Sequence, residues 1–219
     1  MKDAAMHVEL LTEQEIPSIY TYYMVRDFPE NELKPLSVII SSIRRGQLLP
    51  FGLIKNRVLL GYAFYVKIRN ASLGSLVNAG SSSEKVSGIG YLCDYIAIVP
   101  SERGKGFGTT FQKMLYEKEL TDGDFLLCEV KRADKAVNQQ EYTECEERRK
   151  KKIHHHIKVG WRETGVNVCT FGVEYQLLEY PLKGIFHDKE TVRKWYWDIY
   201  SMLLPEDVCR EKVIFNFPQ

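Results

Sequence analysis

The sequence predicts an α/β chain, an α+β arrangement in which a central mixed sheet is flanked by helices. Three observations carry this. Two almost uninterrupted apolar runs, Tyr91–Val99 and Asp124–Val130, have the composition of strands buried on both faces. Between them a glycine-rich turn, Arg103–Gly108, leads into a helical stretch that ends near Leu120. On either side of that unit, strand signals alternate with helical ones along the rest of the chain.

The elements follow in order. His7–Leu11 is a short strand candidate. Thr12-Glu13-Gln14-Glu15 matches a capping box, in which side chains satisfy the free amides at a helix start. A helix to about Asp27 follows, and Pro17 is tolerated in it only if the first turn is irregular. Pro29–Glu32 opens a second helix, interrupted near Pro35, whose Leu36, Ile39, Ile40 and Ile43 share a helical stripe; Gly46 and Pro50 end it. Two β-rich runs, Phe51–Lys55 and Arg57–Ile68, read as a hairpin around Asn56, although no Gly follows the Asn. Asn70–Gly90, rich in Ser, Gly and Asn, reads as a flexible loop.

After the strand, turn and helix of the central unit, residues 141–157 form a highly charged helix. Glu144–Arg148, Glu146–Lys150 and Glu147–Lys151 are i,i+4 pairs with acid before base, the favourable order. Gly160 stops it. Strands at about Glu163–Val166 and Thr170–Leu178 come next, Pro181 closes them, and Glu190–Leu203 is an amphipathic helix carrying Trp195, Trp197 and Tyr200. With no repeat and no long linker, the expected organisation is a domain over 1–182 and a helical extension over 183–219 packed on the same domain.

Composition excludes more than it assigns. The chain has 219 residues, 44% of them hydrophobic and 12% aromatic, enough to fill a core without staples and too apolar for disorder throughout. Thirty Lys and Arg against 29 Asp and Glu give a formal net charge of +1, which lacks the basic excess of a general nucleic-acid binder. The N-terminal residues show no apolar signal segment. The longest apolar runs, such as Val58–Leu60 and Tyr62–Val66, fall far short of the roughly 20 residues of a membrane span. Five widely spaced cysteines without a CxxC pair read as reduced thiols of a cytoplasmic protein, with Cys93 and Cys128 as small core residues.

The informative segment is Ile96–Thr109, where a buried strand runs out at Pro100 and Gly104, Gly106 and Gly108 enter a helix at alternate positions. Glycine permits close approach and otherwise forbidden backbone angles. A helix start offers unpaired amides and partial positive charge to a phosphate, and Arg103 and Lys105 add formal charge beside it. The dinucleotide fingerprint fails because residue 109 is Thr, and no Gly-Lys-Ser/Thr stands at the Walker spacing. Packing of helix on strand is the plain alternative for the glycines. Arg-Gly-x-Gly-x-Gly after a strand ending in Val-Pro instead resembles the pyrophosphate loop of the GNAT superfamily of N-acetyltransferases. The order of elements above is that family's order. Gly160-Trp161 resembles the Gly-Phe that ends the family's fourth helix, and Phe171-Gly172-Val173-Glu174-Tyr175 resembles a last-strand pattern of a bacterial branch. The resemblance covers about Val8–Pro181 and is absent after Leu182.

The resemblance implies an acyl-CoA N-acyltransferase fold and acetyl-CoA as co-substrate, its acetyl group passing by direct attack to a primary amine of a small molecule or peptide. It implies that the backbone of Ile96 and Ile98 binds the pantetheine arm and acetyl carbonyl, and that the amides of Arg103, Gly104, Lys105, Gly106, Phe107 and Gly108 hold the pyrophosphate. Asp94 and Glu129, acids set in apolar strands, are the candidate bases; a strand end in water or a basic partner would equally explain them. The family's thiolate acid is a Tyr four residues before the helix-ending Gly, and here that position is His156. An imidazolium could serve, or His156 could face solvent or cofactor without chemistry. Consecutive helical residues diverge by about 100°, so His154–His156 do not converge on a metal, and none is expected. Arg148–Lys152 could touch an adenosine 3′-phosphate or nucleic acid, but reads as a solvated face, and no nucleic-acid or membrane partner is expected. The Trp195–Trp197 cluster leaves packing on the domain and a homodimer contact both open. The competing functions are a non-catalytic acyl-CoA sensor of the same fold, suggested by the missing Tyr, and an unrelated nucleotide-binding domain.

Overall fold

The computed structural model of the chain describes residues 5–70, 88–132 and 138–215. Its strands are β1 (His7–Leu10), β2 (Leu48–Lys55), β3 (Val58–Asn70), β4 (Gly88–Ile98), β5 (Phe125–Lys131), β6 (Arg162–Thr170), β7 (Val173–Tyr180) and β8 (Val213–Phe215). They hydrogen-bond in the order β1-β2-β3-β4-β5-β7-β6-β8. The helices are α1, a composite of Ile16–Ile19, a π-helical turn Tyr20–Met24 and Val25–Asp27; α2 (Leu36–Arg44); α3 (Phe107–Met114, prolonged by a π-helical turn Leu115–Glu119); α4 (Gln139–Lys158); α5 (Lys189–Leu203); and α6 (Glu206–Lys212). Among the described residues no helix is long and apolar enough to cross a membrane. Most of the expected Asn70–Gly90 loop lies outside the described residues, and its last residues, Gly88–Gly90, already belong to β4.

The chain forms two compact units, one of residues 1–67 and 93–121, the other of residues 68–92 and 122–219. In the first, β1 pairs with β2 and β2 with β3, all antiparallel. Thr12 donates its backbone N–H and its hydroxyl to the Glu15 carboxylate, each at 2.7 Å, so the capping-box signal is realised as a turn that delivers the chain into α1. Pro17 stands in the first turn, where its missing N–H costs nothing. The second expected helix breaks as the prolines require: a single 3-10 turn at Glu30–Glu32, then α2 starting directly after Pro35. Ile16, Ile19, Met24, Ile39, Leu53, Phe64 and Phe111 form the centre of this unit's core.

The β2–β3 hairpin turns on two residues, Asn56 and Arg57, with φ of 52° and 65°. Both occupy the left-handed region that a tight hairpin turn demands, so Arg57 belongs to the turn rather than to the strand expected to begin with it. The same device corrects a second boundary. Thr170 pairs with Val173, and Phe171-Gly172, φ 52° and 82°, is the turn between β6 and β7. The second of these strands therefore starts at Val173, and the first runs on to Thr170.

In the second unit Asp124, just before β5, donates its N–H to the carbonyl of Ile89 at the start of β4 at 2.7 Å. The two strands thus begin side by side and run the same way, whereas β5–β7, β6–β7 and β6–β8 are antiparallel, so the sheet is mixed. A Cβ at Gly90 would lie 2.1 Å from the Phe125 ring, so the ring occupies the space of a missing side chain. On that ring Trp195 of α5 stacks, centroids 3.7 Å apart and planes 13° apart. Residues beyond Leu182 are thus an integral layer of this unit. They also contribute more than helices, because β8 pairs with β6 through Val213–Phe215. The connecting segment is fixed by Glu179, fully buried, which accepts from Arg162 at 2.8 Å and from the backbone N–H of His187 at 3.2 Å, with His187 Nδ1 at 2.6 Å.

Candidate active site

The glycine turn lies wholly in the first unit. β4 ends at Ile98, a 3-10 turn follows at Pro100–Glu102, and the chain crosses to α3 through Arg103–Gly106. Gly104 (φ 76°) and Gly106 (φ 81°) both take left-handed backbone angles, with nothing within 4 Å of where a Cβ would be. Their glycine identity is therefore a matter of conformation, not of space. Gly106 is the residue before α3, and no side chain caps that helix start. Residues 103–106 are exposed. The result is an open loop whose amides lead into the uncapped, partly positive end of a helix, a geometry suited to a phosphate. Gly108 lies inside α3, against the Ile98 side chain.

The two basic residues of the turn have other engagements. Arg103 donates Nε to the Ile98 carbonyl at 2.9 Å and its terminal nitrogen to Asp27 at the end of α1. Asp27, 4% exposed, also accepts from the Tyr62 hydroxyl at 2.8 Å, and burial together with that carboxylate raises the Tyr62 pKa. Lys105 pairs with Glu102 at 2.9 Å. Arg103 thus ties the turn to α1 and occupies the Ile98 carbonyl, one of the two backbone positions expected to meet the pantetheine arm.

Asp94 lies four residues before the end of β4, with its side chain 6% exposed. Both of its oxygens accept from the Lys34 ammonium at 2.6 Å. Tyr95 holds the segment that carries Lys34: its hydroxyl accepts from the Lys34 N–H at 2.9 Å and donates to the Glu32 carbonyl at 3.0 Å. Phe28 packs edge-on against the same ring.

Glu129 and His156 belong to the second unit. Glu129, on β5, accepts from the hydroxyls of Tyr196 and, at 2.9 Å, Tyr200, both on α5. The single proton of Tyr196 goes to the carboxylate, so Thr170, 2.7 Å away, donates to the Tyr196 oxygen. Burial, reinforced by the Glu129 charge, pushes the Tyr196 hydroxyl pKa far up and keeps it a donor. Trp195 and Tyr196 are buried within this unit, which settles the packing of those two members of the aromatic cluster. His156 is 4% exposed on α4, packed against Trp161 at 5.2 Å between centroids, and its Nδ1 has no partner among the described residues. Burial lowers its pKa to about 3, helped by the nearby charges of Lys152 and His155. The ring is therefore neutral at neutral pH and holds no imidazolium proton to give. His154 and His155 are exposed, so the three rings diverge. Among the described residues no group of His, Cys, Asp or Glu is arranged to hold a metal.

Lys34, Asp27, Tyr196 and Tyr200 were invisible to sequence reasoning as site residues, since each meets its partner from 35 to 76 residues away. The one available signal was the four-residue spacing of Tyr196 and Tyr200, which places both hydroxyls on one face of a helix.

No family model and no curated protein matches the sequence. Solved structures do. An acetyltransferase assigned to the GNAT family from Bacteroides thetaiotaomicron superimposes with a TM-score of 0.56 at 14% identity, covering 90% of this chain and 95% of the other. NAA60 from Arabidopsis thaliana, solved in complex with acetyl-CoA, gives 0.57 at 10% identity over 81% and 99%. The ribosomal-protein-S18-alanine N-acetyltransferase from Escherichia coli gives 0.50 at 14% over 84% and 100%. These neighbours come from bacteria and a plant and do not single out a bacterial branch. At this level of identity the likeness is one of architecture: the chain has the fold of the GNAT N-acetyltransferases.

Proposed function

We propose that the chain is an acetyl-CoA-dependent N-acetyltransferase that acts on a primary amine of a small molecule or peptide. The observation that carries this is the glycine turn, with two left-handed glycines delivering exposed amides to an uncapped helix start at the end of β4. The fold and the acetyl-CoA held by the Arabidopsis thaliana neighbour support the choice of ligand. The amides of residues 104–108 hold the pyrophosphate, that of Arg103 being already turned to the Pro100 carbonyl at 3.4 Å, and the backbone around Ile96 lies along the pantetheine arm. Asp94 is the better-placed base, because it stands on the strand that leads into the turn, whereas Glu129 accepts from two phenols in the second unit. The departing thiolate has an ordinary thiol pKa of about 8.5 and needs little help to leave, so transfer does not depend on a charged His156. His156 then shapes the second unit instead of donating a proton.

The sensor reading keeps one observation in its favour: all three candidate catalytic groups are already engaged or buried, Asp94 by Lys34, Glu129 by two tyrosines and His156 by exclusion of water. Mixing the protein with acetyl-CoA and a panel of primary amines, and following free thiol, separates the two. Thiol released over many turnovers with particular amines is the expected result. CoA binding without turnover for any amine supports the sensor, and absence of CoA binding removes both.

A further inference from the structure

Lys34 presents a primary amine to the carboxylate best placed to take a proton from one. Its ammonium sits on both oxygens of Asp94 at 2.6 Å, and Asp94 has no other partner among the described residues. The lysine side chain remains 31% exposed, against 6% for the aspartate, so the pair borders solvent on the side of the lysine. Its position is not left to chance: the Tyr95 hydroxyl bridges the Lys34 N–H and the Glu32 carbonyl, pinning the Glu32–Lys34 segment to β4. Side chains at alternate strand positions share a face, so Asp94, Ile96 and Ile98 project to the same side of β4. Two residues along a strand span about 7 Å, so the residue whose carboxylate carries the Lys34 ammonium stands one such step along β4 from Ile96, where the acetyltransferase reading puts the acetyl thioester.

We propose that Lys34 is the chain's own acetyl acceptor, an internal amine that occupies the ammonium position on Asp94 and is N-acetylated there. The inference rests on the acetyltransferase reading. Asp94 takes a proton from the Lys34 ammonium; the freed amine attacks the thioester carbonyl; the new bond joins Nζ to the acetyl carbon; the carbon–sulfur bond breaks. The thiolate takes the proton remaining on the new amide nitrogen and leaves as CoA thiol, and Asp94 releases its own proton to water. The amide product has no charge, so Asp94 loses its counter-ion.

Uncatalysed chemistry makes the opposite prediction about which lysine reacts. A carboxylate-paired ammonium gives up its proton less readily than a free one, so direct reaction with acetyl-CoA favours exposed lysines such as Lys151 and Lys152, which have no ion pair among the described residues. The test incubates the full chain with acetyl-CoA alone and follows intact mass and peptide maps, with acetyl-CoA binding measured by calorimetry on the same sample. The expected result is one acetyl group on Lys34 before any appears on Lys151 or Lys152, with one equivalent of thiol released, and at least tenfold slower modification in Asp94→Asn. Lys34→Arg, which keeps the ion pair and removes the nucleophile, gains no early acetyl group, and decides the matter if Asp94→Asn does not fold. Acetyl-CoA binding with Lys34 unmodified, or modified no faster than Lys151 and Lys152, overturns the proposal and leaves the acetyltransferase reading standing. No binding of acetyl-CoA overturns both.

Discussion

At the scale of single residues, three ionisable groups are held by three different devices. Asp94 has an ammonium on both oxygens, Glu129 has two phenol donors, and His156 has only the absence of water. The last has a consequence for stability. With a folded pKa near 3 and an unfolded pKa near 6.5, His156 binds a proton more readily in the unfolded chain between those values, so the folded state loses ground as pH falls. One group of this kind costs about 2 kcal/mol between pH 7 and pH 5. Denaturant titrations at the two pH values check this: His156→Phe flattens the difference by that amount, and an unchanged difference excludes a buried neutral imidazole. Tyr196 makes a second prediction. Removing its hydroxyl in Tyr196→Phe leaves Thr170 short of a partner and takes one donor from Glu129, which costs about 1–3 kcal/mol in the same titration. The glycines of the turn were legible in the sequence because positive φ selects for glycine directly. The partners of Asp94 and Glu129 were not, since nothing local to an acid in an apolar strand says which distant side chain will meet it.

Elements were legible to the extent that their signals are local. The turn into α1, the break before α2 and the stop at Gly160 follow from prolines, caps and glycines within a few residues, whereas nothing local announces the π-helical turn Tyr20–Met24. The β2–β3 hairpin is legible around Asn56, but the exact turn residues of neither hairpin are, because Asn56-Arg57 and Phe171-Gly172 each put a non-glycine residue where the backbone is left-handed. Such a residue carries strain of about 1 kcal/mol. Arg57→Gly, which turns the pair into Asn-Gly, therefore stabilises the chain by about 1 kcal/mol or slightly less after the entropy of glycine is charged against it, measured by denaturant midpoint. The converse holds at the glycine turn. Gly106→Ala forces an alanine to φ near 81° at the start of α3, costs about 1 kcal/mol, and displaces the amides proposed to hold the pyrophosphate. Acetyl-CoA affinity measured by calorimetry falls about tenfold, whereas Gly108→Ala, inside the helix and 3.7 Å from the nearest side-chain atom, changes it little.

For the whole molecule, the succession of strands and helices was readable while their spatial order was not. Strand β7 lies between β5 and β6, and β8 adds itself beyond β6 from a stretch that bears no resemblance to the family pattern. The last segment reads as helical because Glu190–Leu203 has a clear amphipathic period; three residues of edge strand are too short for any pattern to show. Its role is physical as well as topological: Trp195 covers Phe125, Tyr196 and Tyr200 reach Glu129, and Val213–Phe215 closes the β6 edge. The near-even charge of the chain likewise hides specific placements, of which Lys34 on Asp94 and Arg103 on Asp27 are the ones that the proposed function uses. The claim on which the rest depends is that the turn between β4 and α3 holds acetyl-CoA. Calorimetric titration of acetyl-CoA into the full chain tests it most directly. Saturable binding of one molecule per chain, competed by free CoA and weakened in Gly106→Ala, is the predicted result; no binding, or binding indifferent to Gly106→Ala, contradicts it.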